Sequence, residues 1–381
     1  MLGRKFISIQ TILLSIYALA NALFVYKYSA RLTINPLLAS CAYLIFLILL
    51  LVFLYRNQAL KIPFAIQRRL FIAFVLICAI ALAVLMRQFD PAQFRIGRYN
   101  ALHDWVSRLL DGQFPYASTA NPSGMPFIFV LALPFYFLGD LGLFQIFGFL
   151  LFAAAVYKRS SNNMQSAFRA VVLLLFAPIF LFEIVTRSEL ISNMICIIIY
   201  LEVLEILIPR AKPVSLALLG VGTGLLLSTR LIGALIFGCF LMHLFKRKIR
   251  SGILFLIFMA AGFLATLLPF IIWDREAFMR PLLIQSSYAP IWLTITALTI
   301  SIIAGALART PIAVYASIAF TLFSTVAAAF LITVSSVGWA SAVIGSGFDI
   351  SYFGFPLPFL LMSLILPEQE ISGVDKPLAT S

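Results

Sequence analysis

Apolar runs of 17 or more residues recur from one end of this chain to the other. At 1.5 Å per residue, about 20 apolar residues match the roughly 30 Å hydrocarbon core of a bilayer, so such runs read as membrane-crossing helices. Composition agrees. Of the 381 residues 63% are apolar and 11% charged, Phe alone contributing 37, whereas a soluble domain carries about 25% charged residues. The runs predict an all-α integral membrane protein with about twelve spans (eleven to thirteen). They fall near 8–26, 36–55, 70–87, 141–157, 167–185, 190–208, 214–229, 231–245, 251–273, 290–307, 312–334 and 350–366.

Arg4 and Lys5 precede the first run, and Ala18-Leu19-Ala20 resembles a signal-peptidase site. The run continues through Leu23, Phe24 and Val25, too long for a signal peptide, so an uncleaved first helix is expected. One apolar piece, Met125 to Leu138, is too short to cross: 14 helical residues reach about 21 Å, and Pro126 and Pro134 interrupt it. It reads as a re-entrant or juxtamembrane helix.

Charge sets the direction. With 125–138 not crossing, the inner loops hold Arg4, Lys5, Arg56, Lys61, Arg68, Arg69, Lys158, Arg159, Arg169, Arg210, Lys212, Lys246, Arg247, Lys248, Arg250, Arg309 and Lys376. That is 17 of the 27 basic residues, against ten outside. Lys and Arg collect in cytoplasmic loops, which puts both termini in the cytoplasm and explains the net charge of +13 without nucleic acid. Cys41, Cys78, Cys196 and Cys239 all lie in apolar runs and form no CxxC or Cys/His cluster, so neither disulfides nor structural zinc are expected.

The one sizeable loop, 87–124, then faces outward. A helix from Asn100 to Leu110 would put Ala101, Trp105 and Leu109 on one face and lie on the membrane surface with that stripe in the interface. Ionisable residues gather at the same side: Asp90, Arg187, Glu189, Arg230, Asp274, Arg275, Glu276, Asp349 and Tyr352 all stand at outer span ends. Charges at a bilayer are costly, and a set gathered on one face points to a site. Arginines beside carboxylates bind phosphate by charge-assisted hydrogen bonds, and a carboxylate can deprotonate a hydroxyl while a phosphate leaves. The chain has no Walker or dinucleotide-binding fingerprint, and its two histidines, His103 and His243, fall on opposite sides of the membrane. An ATP-driven pump and a Ser-His-Asp triad are therefore disfavoured.

An ordered series of short motifs resembles the C-type glycosyltransferases, polytopic enzymes that use polyprenyl-phosphate sugars outside the cytoplasm. Arg98-Tyr99, Trp105, Leu109-Leu110, Gly112 and Pro115-Tyr116 resemble the first outer-loop motif, and Asn121-Pro-Ser-Gly-Met-Pro126 with Leu133-Pro134 resembles the proline element after it. Arg187-Ser-Glu189, Ser228-Thr-Arg230, Leu268-Pro-Phe270 and Tyr352 with Pro356-Leu-Pro358 resemble the later outer-face motifs. The resemblance covers residues 70–366, leaving two additional N-terminal spans in 1–69 and a short cytoplasmic tail at 367–381. It implies a GT-C-like fold in a bacterial inner or plasma membrane, with an extracytoplasmic active face carrying juxtamembrane helices.

It further implies transfer of a hexose, mannose-like or pentose sugar from a polyprenyl-phosphate donor to a glycan or lipid acceptor, among membrane lipids. Arg187 and Arg230 would hold the donor phosphate, Glu189 would orient an arginine or the acceptor, and Tyr99, Trp105 and Tyr116 would shape the sugar pocket. Arg98, His103, Asp274, Arg275 and Tyr352 complete the expected substrate-binding set. The family's acid before the first tyrosine is replaced here by Phe94-Arg95-Ile96-Gly97-Arg98, so Asp90, and after it Asp104, is the expected base. No cofactor is required, although outer-face carboxylates could hold a divalent cation. A lipid-linked saccharide flippase and a catalytically inactive partner subunit of the same fold are the alternatives.

Overall fold

A computed structural model describes residues 2–32, 34–56, 63–91, 98–120, 124–160, 164–280 and 289–365, and the side chains from residue 9 onward. Residues 94–97, Asn121 to Ser123 and the tail 367–381, all singled out above, lie outside the described residues. The chain is 84% helical and carries no strand among the described residues. Its helices are α1 (Leu2–Arg31), α2 (Pro36–Arg56), α3 (Phe64–Arg87), α4 (Tyr99–Leu110), α5 (Pro126–Phe137), α6 (Leu143–Arg159), α7 (Met164–Leu175) and α8 (Pro178–Thr186). They continue with α9 (Leu190–Leu207), α10 (Pro213–Leu227), α11 (Gly233–Phe245), α12 (Ile249–Trp273), α13 (Ile291–Leu307), α14 (Pro311–Val337) and α15 (Leu357–Ser363).

Six of these (α1, α2, α3, α9, α12 and α14) are long and apolar enough to cross a membrane, and α7 with α8 makes a seventh if counted as one span bent by 61°. The protein is an all-helical, multi-pass membrane protein. The remaining predicted spans are also helical but shorter: α6 and α13 have 17 residues, α10 has 15 and α11 has 13, and the span expected over 350–366 is a 3-10 turn, Ile350–Gly354, followed by the seven-residue α15. α2 shows why apolarity alone cannot mark a core: Leu37, Leu38, Ile48, Leu49 and Phe53 are all more than half exposed. Such a surface suits lipid, since a helix apolar all round needs an apolar environment on every side.

Close helix pairs are made by glycine. A Cβ on Gly220 would lie 2.7 Å from Phe255 O, and one on Gly262 2.5 Å from Val221 O, so α10 and α12 touch backbone to backbone. In lipid the hydrophobic effect does not drive helices together, and small residues supply the packing instead. Gly305 of α13 meets the backbone of Cys239 of α11 in the same manner.

The bend between α7 and α8 follows from Pro178, which has no N–H to continue the helix. The backbone groups beside the break find partners on α1: Tyr17 donates to Leu173 O at 2.7 Å, and Asn21 Oδ1 accepts from Ile179 N at 3.4 Å. Both side chains are buried, one helical turn apart on α1. α1 therefore packs into the main core, although it precedes the stretch that carries the motifs.

The segment 98–120 folds with α5 into a second, smaller core. Leu102, Trp105 and Val106 of α4 pack against Ile128 and Phe129 of α5, with Tyr116, Leu267 and Phe278 around them. The helix expected over 100–110 is present, but its buried face is Leu102, Trp105 and Val106, set against α5, with Ala101 and Leu109 of the expected stripe only half-buried; Trp105 stacks on Phe129 with centroids 4.0 Å apart. That face finds an apolar partner within the chain, and burying one apolar face on another removes both from water.

α5 is a short apolar helix where one was expected. Its 12 residues begin at Pro126, and its first turn rests on the end of α10: Met125 N donates to Thr229 O at 3.1 Å and Phe127 N to Ser228 O at 2.9 Å. Two helix ends, one short of acceptors and one short of donors, thus satisfy each other. Gly139, with φ of 86°, then turns the chain into Asp140.

The charged contacts divide by bundle end. Arg98–Asp349, Arg187–Asp140 and Arg230–Glu189 join residues from predicted outer loops, as does Arg108–Asp104. Arg159 pairs with Glu202 and Glu205, each at 2.9 Å, and Tyr315 donates to Glu202 at 3.0 Å, all at predicted inner ends. Lys246 donates to Ala308 O at 2.7 Å on that same side. Among the described residues no salt bridge joins the two sets.

Candidate functional site

The outer charged layer is built on the tight turn between α8 and α9. Arg187 adopts φ of 51°, the one left-handed non-glycine residue among the described residues. That conformation costs about 1–2 kcal/mol for an L-residue. It is offset by what the side chain reaches: Nε donates to Asp140 Oδ1 at 2.9 Å, Nη2 to Oδ2 at 3.3 Å, and Nη1 to Phe89 O at 3.0 Å. The guanidinium also lies over Tyr99, 5.8 Å from the ring centre. One turn earlier, Glu183 is buried and its Oε2 accepts from Ile191 N at 2.8 Å, capping the first turn of α9.

Glu189 precedes α9 and is ion-paired with Arg230, which follows α10; their side chains are 3% and 7% exposed. Arg98 opens α4. It donates to Ser188 Oγ at 3.1 Å and Ser351 Oγ at 3.3 Å, pairs with Asp349, and lies 5.3 Å above the Tyr352 ring. Asp349 in turn accepts from Ser351 N at 3.0 Å and Ser351 Oγ at 2.6 Å. Burial alone would raise the Asp349 carboxyl, but Arg98, the Ser351 bonds and Lys27 outweigh it and hold it below the ordinary carboxylate range. Burial likewise disfavours the charged Arg98, and Asp349, Tyr352, Glu189 and Glu183 overcome it, so Arg98 holds its proton more tightly than usual.

The segment leading to Asp349 is held from α1. Lys27 donates to Phe348 O at 3.0 Å; Arg31 donates to Ile344 O at 3.1 Å and Gly345 O at 2.9 Å. The Ile344 and Gly345 carbonyls end a π-helical turn, Ala340–Ile344, where the Arg31 cation is favoured by the helix dipole.

A small crevice, with room for about one water-sized group, lies between Arg98, Ala101 and Leu102 of the α4 region, Gly124, Ile128 and Phe129 beside and within α5, and Glu189 and Arg230. Its wall is apolar and its polar groups are two arginines and one carboxylate. Glu189 Oε2 and Arg230 Nε are both shielded from water and make no hydrogen bond within the protein. Native structures leave few such atoms, and each calls for an explanation.

The sequence-predicted residues separate into three groups. Arg98, Glu189 and Arg230 share the crevice, while Arg187, Tyr99 and Tyr352 brace it. Asp90 is exposed beside Phe89, and its charge, after burial, Asp140 and Arg187, is among the influences on Tyr99, whose hydroxyl is raised above its ordinary value. His103 is exposed and touches the rings of Tyr99 and Tyr136. The others lie apart from the crevice lining. Trp105 and Tyr116 belong to the second core, Asp104 pairs with Arg108 along α4 at 3.2 Å, and exposed Asp274 and Arg275 begin a helical turn, with Asp274 Oδ1 accepting from Ala277 N at 3.0 Å. Among the described residues no group of three or more His, Cys, Asp or Glu is placed to hold a metal ion.

Asp140, Ser188, Ser351 and Lys27 are the residues sequence reasoning missed. Asp140 carried one usable signal, an acid directly after a glycine at the end of a short apolar helix. The partnerships of Asp349 and Lys27 had none, because they join segments more than 250 positions apart. Comparison with protein families, with curated proteins and with solved structures gives no match to this chain.

Proposed function

We propose that this protein is a membrane glycosyltransferase of the GT-C kind, moving a sugar from a polyprenyl-phosphate donor to an extracytoplasmic glycan or lipid acceptor. The observation that carries the reading is the crevice, where Arg98, Arg230 and Glu189 meet at one end of an apolar helical bundle. A donor whose lipid tail stays in the bilayer presents its phosphate at that depth. Arginine binds phosphate through paired N–H donors, strongly so where water is excluded. Arg187 is engaged at all three guanidinium nitrogens, so Arg98 and Arg230 are the cations left to face the phosphate. The leaving group is already activated, and the chemistry needs no nucleotide.

Twelve crossings with both termini cytoplasmic remain part of the proposal. The end-by-end pairing of charges supports it, since among the described residues every salt bridge joins residues that this threading places on the same side. The transport reading has one observation in its favour, the broken span α7–α8, because broken helices expose backbone groups to substrates in transporters. Here Tyr17 and Asn21 occupy groups on both sides of the break, which favours a structural role for it.

The test incubates membranes containing the protein with a panel of radiolabelled polyprenyl-phosphate sugars and follows label into glycan and lipid fractions. Transfer from one donor, abolished in Arg98→Gln and Arg230→Gln at unchanged protein level, is expected. Absence of transfer from every donor, with substrate flux in proteoliposomes, would replace the reading by transport.

A further inference from the structure

We infer that the floor of the crevice is a subsite for a hydroxyl group, and that Glu189 is the base that takes its proton. The inference rests on the glycosyltransferase reading and names a catalytic residue that the sequence had assigned only to orientation.

The argument is one of hydrogen-bond complementarity. Glu189 and Arg230 are already joined through Glu189 Oε1 and an Arg230 terminal nitrogen. Among the fully buried atoms of the two residues, one acceptor, Glu189 Oε2, and one donor, Arg230 Nε, have no partner within the protein, and both residues line the same crevice. An unmade hydrogen bond on a buried charged group is costly, so the pair is arranged for an occupant. A phosphate oxygen would satisfy Arg230 and be repelled by Glu189. An ammonium would do the reverse. A hydroxyl both donates and accepts, and satisfies the two at once. The phosphate then belongs toward Arg98, whose carboxylate partner, Asp349, is not among the residues that line the crevice.

Four of the other acids at this end are committed elsewhere, and Asp90 lies exposed outside the crevice lining. Both Asp140 oxygens accept from Arg187, Asp349 is divided between Arg98 and Ser351, and Asp104 bonds Arg108 on the α4 surface. Glu183 is buried behind the turn as the cap of α9. The balanced step follows. The acceptor hydroxyl oxygen bonds to the anomeric carbon of the donor sugar, and its proton passes to Glu189 Oε2. The bond from that carbon to the phosphate oxygen breaks, and the polyprenyl phosphate leaves with the electron pair. Deprotonated Glu189 is restored by water after release.

The experiment uses full-length protein in native membranes with the labelled donor found active in the panel. Glu189→Gln is expected to retain donor binding within about twofold and to lose transfer by about 10²–10⁴-fold, the range for general-base catalysis. Because Gln leaves Arg230 uncompensated, two further variants guard against misfolding. Glu189→Asp should regain part of the rate, and Glu189→Ala should regain transfer when formate is added, which a purely structural role would not allow. Transfer by Glu189→Gln within threefold of wild type, or no response of Glu189→Ala to formate, overturns the inference while leaving the enzyme reading intact. So does loss of transfer in Asp90→Asn with full transfer in Glu189→Gln, which moves the base to Asp90. No transfer by wild type from any donor overturns both.

Discussion

Removing Asp140 tests whether the outer charged layer is held together as described. Asp140→Ala deletes two charge-assisted bonds to Arg187, at 2.9 and 3.3 Å, and strands a guanidinium whose side chain is only 8% exposed. Breaking a buried pair by removing one partner costs about 3–5 kcal/mol. Asp140 itself is 28% exposed, so water reaches the vacated place and the loss falls to about 2–3 kcal/mol. Asp140 Oδ1 also accepts from Gly142 N at 2.7 Å at the start of α6, and a cap of this kind adds about 1 kcal/mol. The expected total is about 3–4 kcal/mol. Asp140→Asn retains the cap and isolates the charge, for a loss of about 2 kcal/mol. The assay is unfolding of purified protein in mild detergent, run as a double-mutant cycle with Arg187→Met. A coupling energy above about 1.5 kcal/mol is expected. If the two substitutions add to within about 0.5 kcal/mol, the pair is not an energetic unit, and the account of the α8–α9 turn is wrong.

Other outcomes follow from the same contacts. Gly224→Leu and Gly305→Leu, each aimed at the backbone of the facing helix, should lower the yield of folded protein sharply, whereas Leu218→Ala on the exposed face of α10 should not; equal yields by fluorescence-detected size exclusion would refute the glycine contacts. Tyr17→Phe and Asn21→Leu each remove one hydrogen bond at the broken span and should cost about 1 kcal/mol in the same unfolding assay. Because the folded Asp349 is held below its ordinary value, its contribution is fully present above about pH 4 and is lost as pH falls through the depressed value. An acid scan of melting temperature should show that limb in wild type and lose it in Arg98→Met. Single cysteines at Gln113 and Arg247 should label from opposite sides of sealed vesicles, and labelling from one side would overturn the charge-based threading.

How far the sequence reaches can be judged residue by residue. The short helix at 126–137 was legible because length against bilayer thickness is a simple sum, and Pro126 marks its start. α4 was legible from its period, with bounds off by one residue at the start. Its destination was not, since an apolar stripe fits the lipid interface and a neighbouring helix equally well, and only the position of Phe129 settles which. The crevice residues Arg98, Glu189 and Arg230 could be named because charge at a bilayer is costly and therefore conspicuous. Trp105 and Tyr116 were placed at the sugar pocket by resemblance and lie in the second core instead, where large aromatic rings bury the most surface.

The many apolar helices and the gathering of charge at span ends were determined by the sequence alone, because both follow from the cost of placing polar groups in hydrocarbon, a property each segment carries by itself. Which charge meets which was decided only by the tertiary structure. Arg187 faces Asp140 across 47 positions and Arg98 faces Asp349 across 251, and nothing local distinguishes those carboxylates from Asp90 or Asp104. Coulomb attraction acts over a few ångströms, and only the packed bundle brings distant loops that close. The same packing sets Glu189 Oε2 and Arg230 Nε, buried and unpaired within the protein, beside one crevice, an arrangement that has no trace in the order of residues.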